Sequence, residues 1–428
     1  MGLTLDQAIW ALRSSRALVA LPKPTDQWDV IINGDWPTDL SDARAATHVD
    51  IALLSGDAVL FQGQADLSIQ GHFSALTENK KGLKVVWYNS SGVATDVKIG
   101  GWIPNDKHNL KGYGATPGLI MDRSMIRDVL GNRIYDVMCK ARAWPDNLKC
   151  PQYVWAASQT DNSGLPAGAL FGCDGFFVSL WQQTASGLTF RGVYTLRTTA
   201  PAGDFLIDKS SGADYFVQLT YGDGTTWSAY QAGFWDVTAP KKKQFDKTVL
   251  SRLIDYFNAC VTGADSWDNL WKYGNVSSFV DFMIHADFIF NKDGLTNNTY
   301  FASWDKTVWY PYPYDMDETM GIYPWDTGRD VSPDVIGFCT DENPMWASMR
   351  AGLQPLIRQR WAMLRRSGVI SETSVWGWVR EIAATLQPET YAQDVALYGT
   401  NERASMPWVA GWLIGRLAWL DTQWGYST

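Results

Sequence analysis

The sequence predicts an α+β chain with a strand-rich first half and a helical second half. Three observations carry this. Short runs of alternating apolar and polar residues fill the stretches around residues 28 to 87 and 176 to 230. Longer runs with helical spacing dominate after residue 245. At 428 residues the chain is also too long for one ordinary core, so two lobes are expected: a leader over 1–27, a β-rich lobe over 28–245 and a helical lobe over 246–428.

Taken in order, Leu3 to Leu18 reads as an amphipathic helix that Pro22-Lys23-Pro24 ends. Strands follow at Asp29–Ile32, Val49–Leu54, Ala65–Ile69 and Leu83–Trp87, each with period-two alternation. A helix is expected over Asp122–Leu130, with Met125, Ile126, Val129 and Leu130 on its apolar side. Strands return at Phe176–Trp181 and Phe190–Leu196, and Tyr215–Tyr230 reads as a hairpin around Asp223-Gly224. Helices are expected over Val249–Cys260, Ser277–Phe290, Met345–Arg366, Ser371–Leu386 and Met406–Gln423.

Composition narrows the function. Hydrophobic residues make up 46% and charged residues 19%, which is the balance of a globular chain and the reverse of a disordered one. A net charge of -9 with no basic stripe makes nucleic acid a poor partner, and Lys241-Lys242-Lys243 reads as a solvated linker. No run approaches the length of a membrane span, and the first residues lack the pattern of a signal peptide. Five cysteines without CxxC spacing point to buried thiols in a reducing compartment, with zinc disfavoured. The 23 tryptophans read first as bulky core, because Trp408, Trp412 and Trp419 recur near helical spacing.

Chemistry concentrates in two neighbouring segments, Asn291–Tyr300 and Tyr310–Gly321. Their carboxylates and amides suit a hard cation such as Mg²⁺, which takes a few carboxylates together with phosphate oxygens and water. The D-x-x-x-x-N spacing from Asp293 to Asn298 matches the catalytic loop of phosphoryl-transfer enzymes, and Asp315 after the next strand would be the second metal ligand. An EF-hand with Gly294 as its glycine fails, because Ile289 and Tyr300 would occupy ligand positions. A glycosidase carboxylate pair using Asp315 or Asp317 stays open, as does purely structural capping by these acids. There is no GxSxG, and His48, His72, His108 and His285 have no evident partners in sequence, with His285 reading as a core histidine. Gly112-Tyr113-Gly114 with Gly118 misses GxGxxG spacing and reads as a loop.

Several of these pieces together resemble the CotH kinase family of spore-coat and related atypical kinases, over about residues 45 to 400. Ile69–Ser74 with Lys80-Lys81 is similar to the family's "RGxSS…KK", and Asp122-Arg123 with Ile126-Arg127 to "D+sllRn". Gly192–Leu196 is similar to "GvYll", Asn291–Asp293 with Asn298 to "NxD…N", and Pro313–Asp317 through Gly321 to "PWDxDxxxG". The resemblance implies a bilobal, atypical protein-kinase-like fold that binds ATP with Mg²⁺ or Mn²⁺ and phosphorylates protein side chains. It implies Asp293 as the catalytic acid/base, Lys80, Lys81 and Arg123 as nucleotide contacts, and Asn298, Asp315 and Asp317 as metal ligands. Lys80 and Lys81 are not separable from sequence. In two places the chain departs from the pattern: Thr198 stands where the family usually has a Glu that could pair with the phosphate lysine, and Tyr314 replaces the Trp of "PWD". Two functions are therefore expected to compete: an active protein kinase acting on a protein substrate, and a structural protein of a spore coat or virion that uses the fold for assembly with its neighbours. The expected location is the cytoplasm, or incorporation into such a coat or virion, with no membrane partner.

Overall fold

The computed structural model describes residues 16–41, 43–71, 73–142, 170–199, 201–220, 222 and 225–427, and for Phe73 and Pro201 the backbone alone. It is a mixed α+β chain whose contacts divide into two compact units. One unit comprises Met1–Gly114, Gly175–Thr199 and Ala383–Gly399, and the other Ala115–Asp174, Ala200–Ile382 and Thr400–Thr428. The change from strands to helices near residue 245 falls inside the second of these.

The first unit is built on a closed seven-stranded barrel. Its strands are β2 (Trp28–Asn33), β3 (Thr47–Ser55), β4 (Ala58–Gln70), β5 (Gly82–Asn89), β7 (Lys107–Lys111), β8 (Gly175–Thr184) and β9 (Gly187–Thr198), in the order β2-β3-β4-β5-β7-β9-β8. All neighbours are antiparallel except β2 and β8, whose parallel pairing closes the barrel from Trp28 opposite Val178 to Asn33 opposite Gln183. Alternation explains the core: Trp28, Val30 and Ile32 of β2 are buried with Val49, Ile51 and Leu53 of β3, Ala65, Leu67 and Ile69 of β4 and Leu83, Val85 and Trp87 of β5. A separate parallel pair joins β1 (Ala17–Leu21) to β6 (Thr95–Ile99). The expected helix over Leu3–Leu18 lies almost wholly outside the described residues, and its last positions, Ala17 and Leu18, are strand.

In the second unit β10 (Tyr215–Leu219), β11 (Trp235–Ala239), β12 (Thr299–Ser303) and β13 (Tyr310–Pro313) form an antiparallel sheet in the order β11-β10-β12-β13. The expected Tyr215–Tyr230 hairpin is corrected: β10 ends at Leu219, residues 225–230 form turns, and the strand returning against β10 is β11. Asp223 and Gly224 lie outside the described residues.

The central helix Val276–Ile289 is buried along its whole length and packs against the helices Arg127–Lys140, Gln354–Arg366 and Met406–Trp424. Asp281 holds this core electrostatically, accepting from Arg142 Nε at 2.7 Å and Arg360 Nε at 2.8 Å. A buried carboxylate is tolerated because both cations and their hydrogen bonds are present. His285 is a core histidine, with Nε2 2.8 Å from the Gly131 carbonyl oxygen.

Three helices depart from the sequence expectation by more than two residues. The helix expected from Asp122 begins at Arg127 and runs to Lys140, because Asp122 bonds the following turn and Met125 takes a positive φ of 61°. The stretch Met345–Arg366 is two helices, Pro344–Gly352 and Gln354–Arg366, parted at Leu353. Pro355, in the first turn of the second helix, has no N–H to continue the first. The helix expected over Ser371–Leu386 spans Glu372–Ala383, and a further helix, Pro388–Tyr398, follows it.

Tryptophans mostly serve the core, Trp28, Trp87, Trp309, Trp346 and Trp361 among them. None of the four described cysteines forms a disulfide, and all four are buried, while Cys150 lies outside the described residues. Lys241, Lys242 and Lys243 are exposed. Among the described residues no helix is long and apolar enough to cross a membrane.

Candidate functional site

In the first unit the two lysines singled out by sequence have different surroundings. Lys80 enters β5 from the turn after the short helix Phe73–Thr77, and its side chain is entirely buried. The ammonium donates to Asp394 Oδ1 at 2.5 Å and to the Val193 carbonyl, and lies over the rings of Tyr194 and Tyr398. Asp394 comes from the helix Pro388–Tyr398, which packs on β9, and its Oδ1 also accepts from Val193 N at 2.9 Å. Gly192 makes this close approach possible. Its φ is 115°, and a Cβ there would stand 2.6 Å from Asp394 Oδ1 and 2.9 Å from Lys80 Cε.

Thr198, where the family pattern leads one to expect a Glu, is buried opposite His108 in the β7–β9 pairing. The anion facing Lys80 is supplied from Asp394 instead, more than three hundred residues along the chain.

Lys81 is half-buried and donates to the Glu78 carbonyl at 2.5 Å. Burial holds its pKa below the ordinary lysine value, opposed by Glu78 and reinforced by the charge of Arg44. Glu78 Oε2 in turn accepts from Gly114 N at 2.6 Å, and a Cβ on Gly114 would meet Lys80 N at 2.8 Å. The Gly112-Tyr113-Gly114 segment is thus a loop packed against the lysine turn.

In the second unit the central helix ends at Ile289, with Phe290 in the left-handed region at φ 58°. The chain then turns through Asn291, whose Oδ1 accepts from Gly294 N at 2.8 Å and starts the short helix Asp293–Thr296. A Cβ on Gly294 would stand 2.4 Å from Asn291 Nδ2, so a side chain there would displace the Asn291 amide. Asn298 closes the loop back on Asp293, with Nδ2 donating to Asp293 Oδ2, while Asn298 Oδ1 accepts from Gln218 Nε2 of β10 at 3.2 Å.

The Asp315 loop is stitched to this one. Thr299 of β12 faces Pro313 of β13, and just beyond that pair Tyr314 N donates to the Asn298 carbonyl at 2.9 Å. Asp315 follows with φ 56°, in the left-handed region that aspartate and asparagine enter more readily than other residues with a side chain. Met316 N is bonded to Asp128 Oδ1 at 3.0 Å and Met320 N to the Ile289 carbonyl at 2.7 Å. Arg127 donates through Nε to the Thr319 carbonyl at 3.0 Å, through Nη2 to the Arg403 carbonyl at 2.9 Å and through Nη1 to Asp122 Oδ1 at 2.7 Å. Arg127, Asp128 and Asp122 are all buried, so the loop carrying Asp315 and Asp317 is held from behind by an ionic clamp. Burial lowers the Arg127 pKa, and Asp122 opposes that shift. Arg123 is buried beside Asp122 in sequence.

Asp293, Asn298, Asp315, Asp317 and Glu318 are all half-buried. The Glu318 carboxyl is pushed well above the usual carboxylate range, by burial first and then by the charges of Asp317, Asp293 and, more weakly, Asp315, against a hydrogen bond from Trp325. Negative potential therefore accumulates on this surface. The donors are carboxylate and amide oxygens, the set a hard cation takes. Among the described residues no three histidine, cysteine, aspartate or glutamate side chains converge as a ready-made metal cage. Mg²⁺ does not need one, since it takes one or two carboxylates together with phosphate and water. The residues present therefore fit such an ion.

A family model described as CotH kinase protein matches residues 118–398, well over half of the chain. The chain belongs to the CotH kinase family. No curated protein matches it. The CotH match takes in Asp122, Arg127, the Gly192–Leu196 strand, Asp293, Asn298, Asp315 and Asp394, and it begins after Lys80 and Lys81. Sequence reasoning missed three contributors: Asp394, Glu318, and the Arg127–Asp128 clamp. The clamp falls in the stretch Asp122–Leu130, whose apolar spacing points only to a helix. Glu318 sits next to Asp317, where crowding of acids was the available signal.

Proposed function

We propose that this CotH-family chain is a phosphotransferase that uses ATP with Mg²⁺ or Mn²⁺ to phosphorylate a protein side chain. The observation that carries the reading is the bond from Asn298 Nδ2 to Asp293 Oδ2, in a loop tied through Tyr314 N to the segment bearing Asp315. Phosphoryl transfer asks the protein for positioning and charge, not covalent chemistry, and these loops offer both. Asp293 would accept the hydrogen bond of the attacking hydroxyl and orient it. Asn298, Asp315 and Asp317 would hold the metal, whose chemistry is to neutralise phosphate charge. Lys80, Lys81 and Arg123 are the nucleotide contacts that the resemblance implies. On this reading the barrel-bearing unit and the helical unit are the two lobes of an atypical protein-kinase-like fold.

The complete burial of Lys80 favours a second reading, in which the fold serves as a structural component of a spore coat or virion and assembles with neighbouring proteins. A lysine whose ammonium is spent on Asp394 and Val193 acts there as a strut. The location follows the reading: the cytoplasm for the enzyme, the particle for the structural protein.

Incubation of the intact chain with labelled ATP, Mg²⁺ or Mn²⁺ and candidate neighbouring proteins separates the two. Labelling by the wild type that falls by roughly two orders of magnitude or more in Asp293→Ala supports the kinase. Labelling that survives Asp293→Ala removes Asp293 from catalysis, and no labelling by the wild type with normal assembly favours the structural protein.

A further inference from the structure

We propose that the outer face of the barrel carries a binding groove for a neutral oligosaccharide, built across β2, β3 and β4. The inference is independent of the Asp293 site and of the phosphotransferase reading.

The strand register sets the groove. Alternate residues of these strands point into the barrel core, so the residues between them face out. In one outward row Ile31 of β2 faces Ala52 of β3, which faces Gln62 of β4. In the next row Asn33 faces Asp50, Asp50 faces Gln64, and Gln64 faces Tyr88 of β5. The members of both rows on β2, β3 and β4 line an open groove of about 420 Å³, a size typical of small-ligand clefts. The second row crosses three strand spacings, about 14 Å, which gives length for several linked sugar rings.

The chemistry of the rows selects the ligand. Ile31 and Ala52 give one strip of the floor an apolar surface, while Asn33, Asp50 and Gln64 give the next strip amides and a carboxylate. A sugar ring has the same division, with C–H groups on its faces and hydroxyls around its edge. Each hydroxyl both donates and accepts, as each amide does, and a carboxylate accepts from two hydroxyls at once. An anion is disfavoured, because among the described residues no lysine or arginine lines the groove, and Asp50 and Asp66 stand one row apart on adjacent strands. An apolar ligand would strip water from the amides and the carboxylate without replacing its hydrogen bonds. An added β-strand is excluded, since the barrel is closed and offers no free edge.

The third row sets this face apart from ordinary solvated sheet. His48 and Asp66 are cross-strand partners, with His48 Nδ1 2.7 Å from Asp66 Oδ1, and the Tyr88 hydroxyl donates to Asp66 Oδ2 at 2.8 Å. Three outward side chains are thus fixed before a ligand arrives, which reduces the ordering that binding costs. The His48 side chain is still 56% exposed, and with Nδ1 turned to Asp66 its Nε2 remains for a hydroxyl. The His48 and Tyr88 rings, 6.0 Å apart between centroids, give the polar row an aromatic border of amphipathic groups.

Saturation-transfer NMR of the intact chain with neutral trisaccharides of glucose, N-acetylglucosamine, galactose and mannose, each at millimolar concentration, tests the groove. Calorimetry then measures the sugar that binds. Asp50→Ala and Asn33→Ala should each weaken it about tenfold. Tyr88→Phe keeps the ring, releases Asp66 and should weaken binding by a smaller factor. Asp57→Ala, in the exposed turn between β3 and β4, should bind as the wild type does. Thermal melting checks that each variant is folded. Undiminished affinity in both Asp50→Ala and Asn33→Ala overturns the groove as the site. A wild type that binds none of the four sugars overturns the proposal outright, and a preference for the anionic trisaccharide of galacturonic acid over all four overturns the neutral assignment.

Discussion

Lys80 and Asp394 form a wholly buried ion pair, ammonium to carboxylate at 2.5 Å. The pair joins the turn before β5 to the helix Pro388–Tyr398, and the Val193 amide and carbonyl of β9 complete it. Such a pair does not have to add net stability, but half of it left behind is expensive. Asp394→Ala should therefore cost about 3 to 5 kcal/mol. The double variant Lys80→Met with Asp394→Ala should recover much of that loss relative to the sum of the Lys80→Met and Asp394→Ala single losses. Denaturant titration of the two single variants and the double variant reads the coupling. Additive losses would show that Asp394 is not the counter-ion on which Lys80 depends.

The clamp behind the Asp315 loop has a separate signature. Arg127→Met removes the donors to the Thr319 and Arg403 carbonyls and leaves Asp122 without its buried cation. The expected loss is again about 3 to 5 kcal/mol, because a buried charge is orphaned. The more specific outcome is local. The Met316 and Met320 amides, bonded to Asp128 and to the Ile289 carbonyl, should exchange hydrogen faster relative to the central helix than in the wild type. Exchange that rises equally everywhere would reduce Arg127 to a residue of general stability.

Much of this architecture is legible in sequence, and the exceptions have a common physical cause. The strands β2 to β5 announce themselves because their inward residues are apolar and alternate with outward polar ones. Strand β7 does not, since its sequence is Lys-His-Asn-Leu-Lys and two of its three buried residues, His108 and Asn109, are polar. The helix Pro388–Tyr398 is hidden for the same reason. Its buried residues are Thr390 and Asp394, so no apolar stripe marks it, and the partner of Lys80 stays invisible with it. The D-x-x-x-x-N spacing from Asp293 to Asn298 needs only a short loop and can be read locally, whereas the Arg127 clamp spans 192 residues to Thr319.

Two buried histidines set a pH dependence whose sign can be worked out. His108 accepts from Trp87 Nε1 at 2.9 Å and stacks on Trp102, and His285 bonds the Gly131 carbonyl. Burial lowers the first to about 3 and the second to about 4. In the unfolded chain both return to the ordinary value near 6.5. The folded state therefore carries them neutral while the unfolded state takes up protons as pH falls. Their contribution is fully present above pH 6.5, declines from there toward pH 4 for His285, and continues to about 3 for His108. Each should cost roughly 1 kcal/mol per pH unit well inside its window. Other groups oppose this slope: His48, raised chiefly by its hydrogen bond to Asp66, and Asp287, raised by burial, both favour the folded state on the acid side. A difference measurement removes them. Denaturant stability of wild type and His285→Gln, compared at pH 7.5 and 5, should show the variant losing less on acidification by about 1 to 2 kcal/mol. Glutamine keeps a donor that can meet the Gly131 carbonyl and cannot titrate, so an identical pH slope in the two proteins would mean that His285 is not held neutral in the fold.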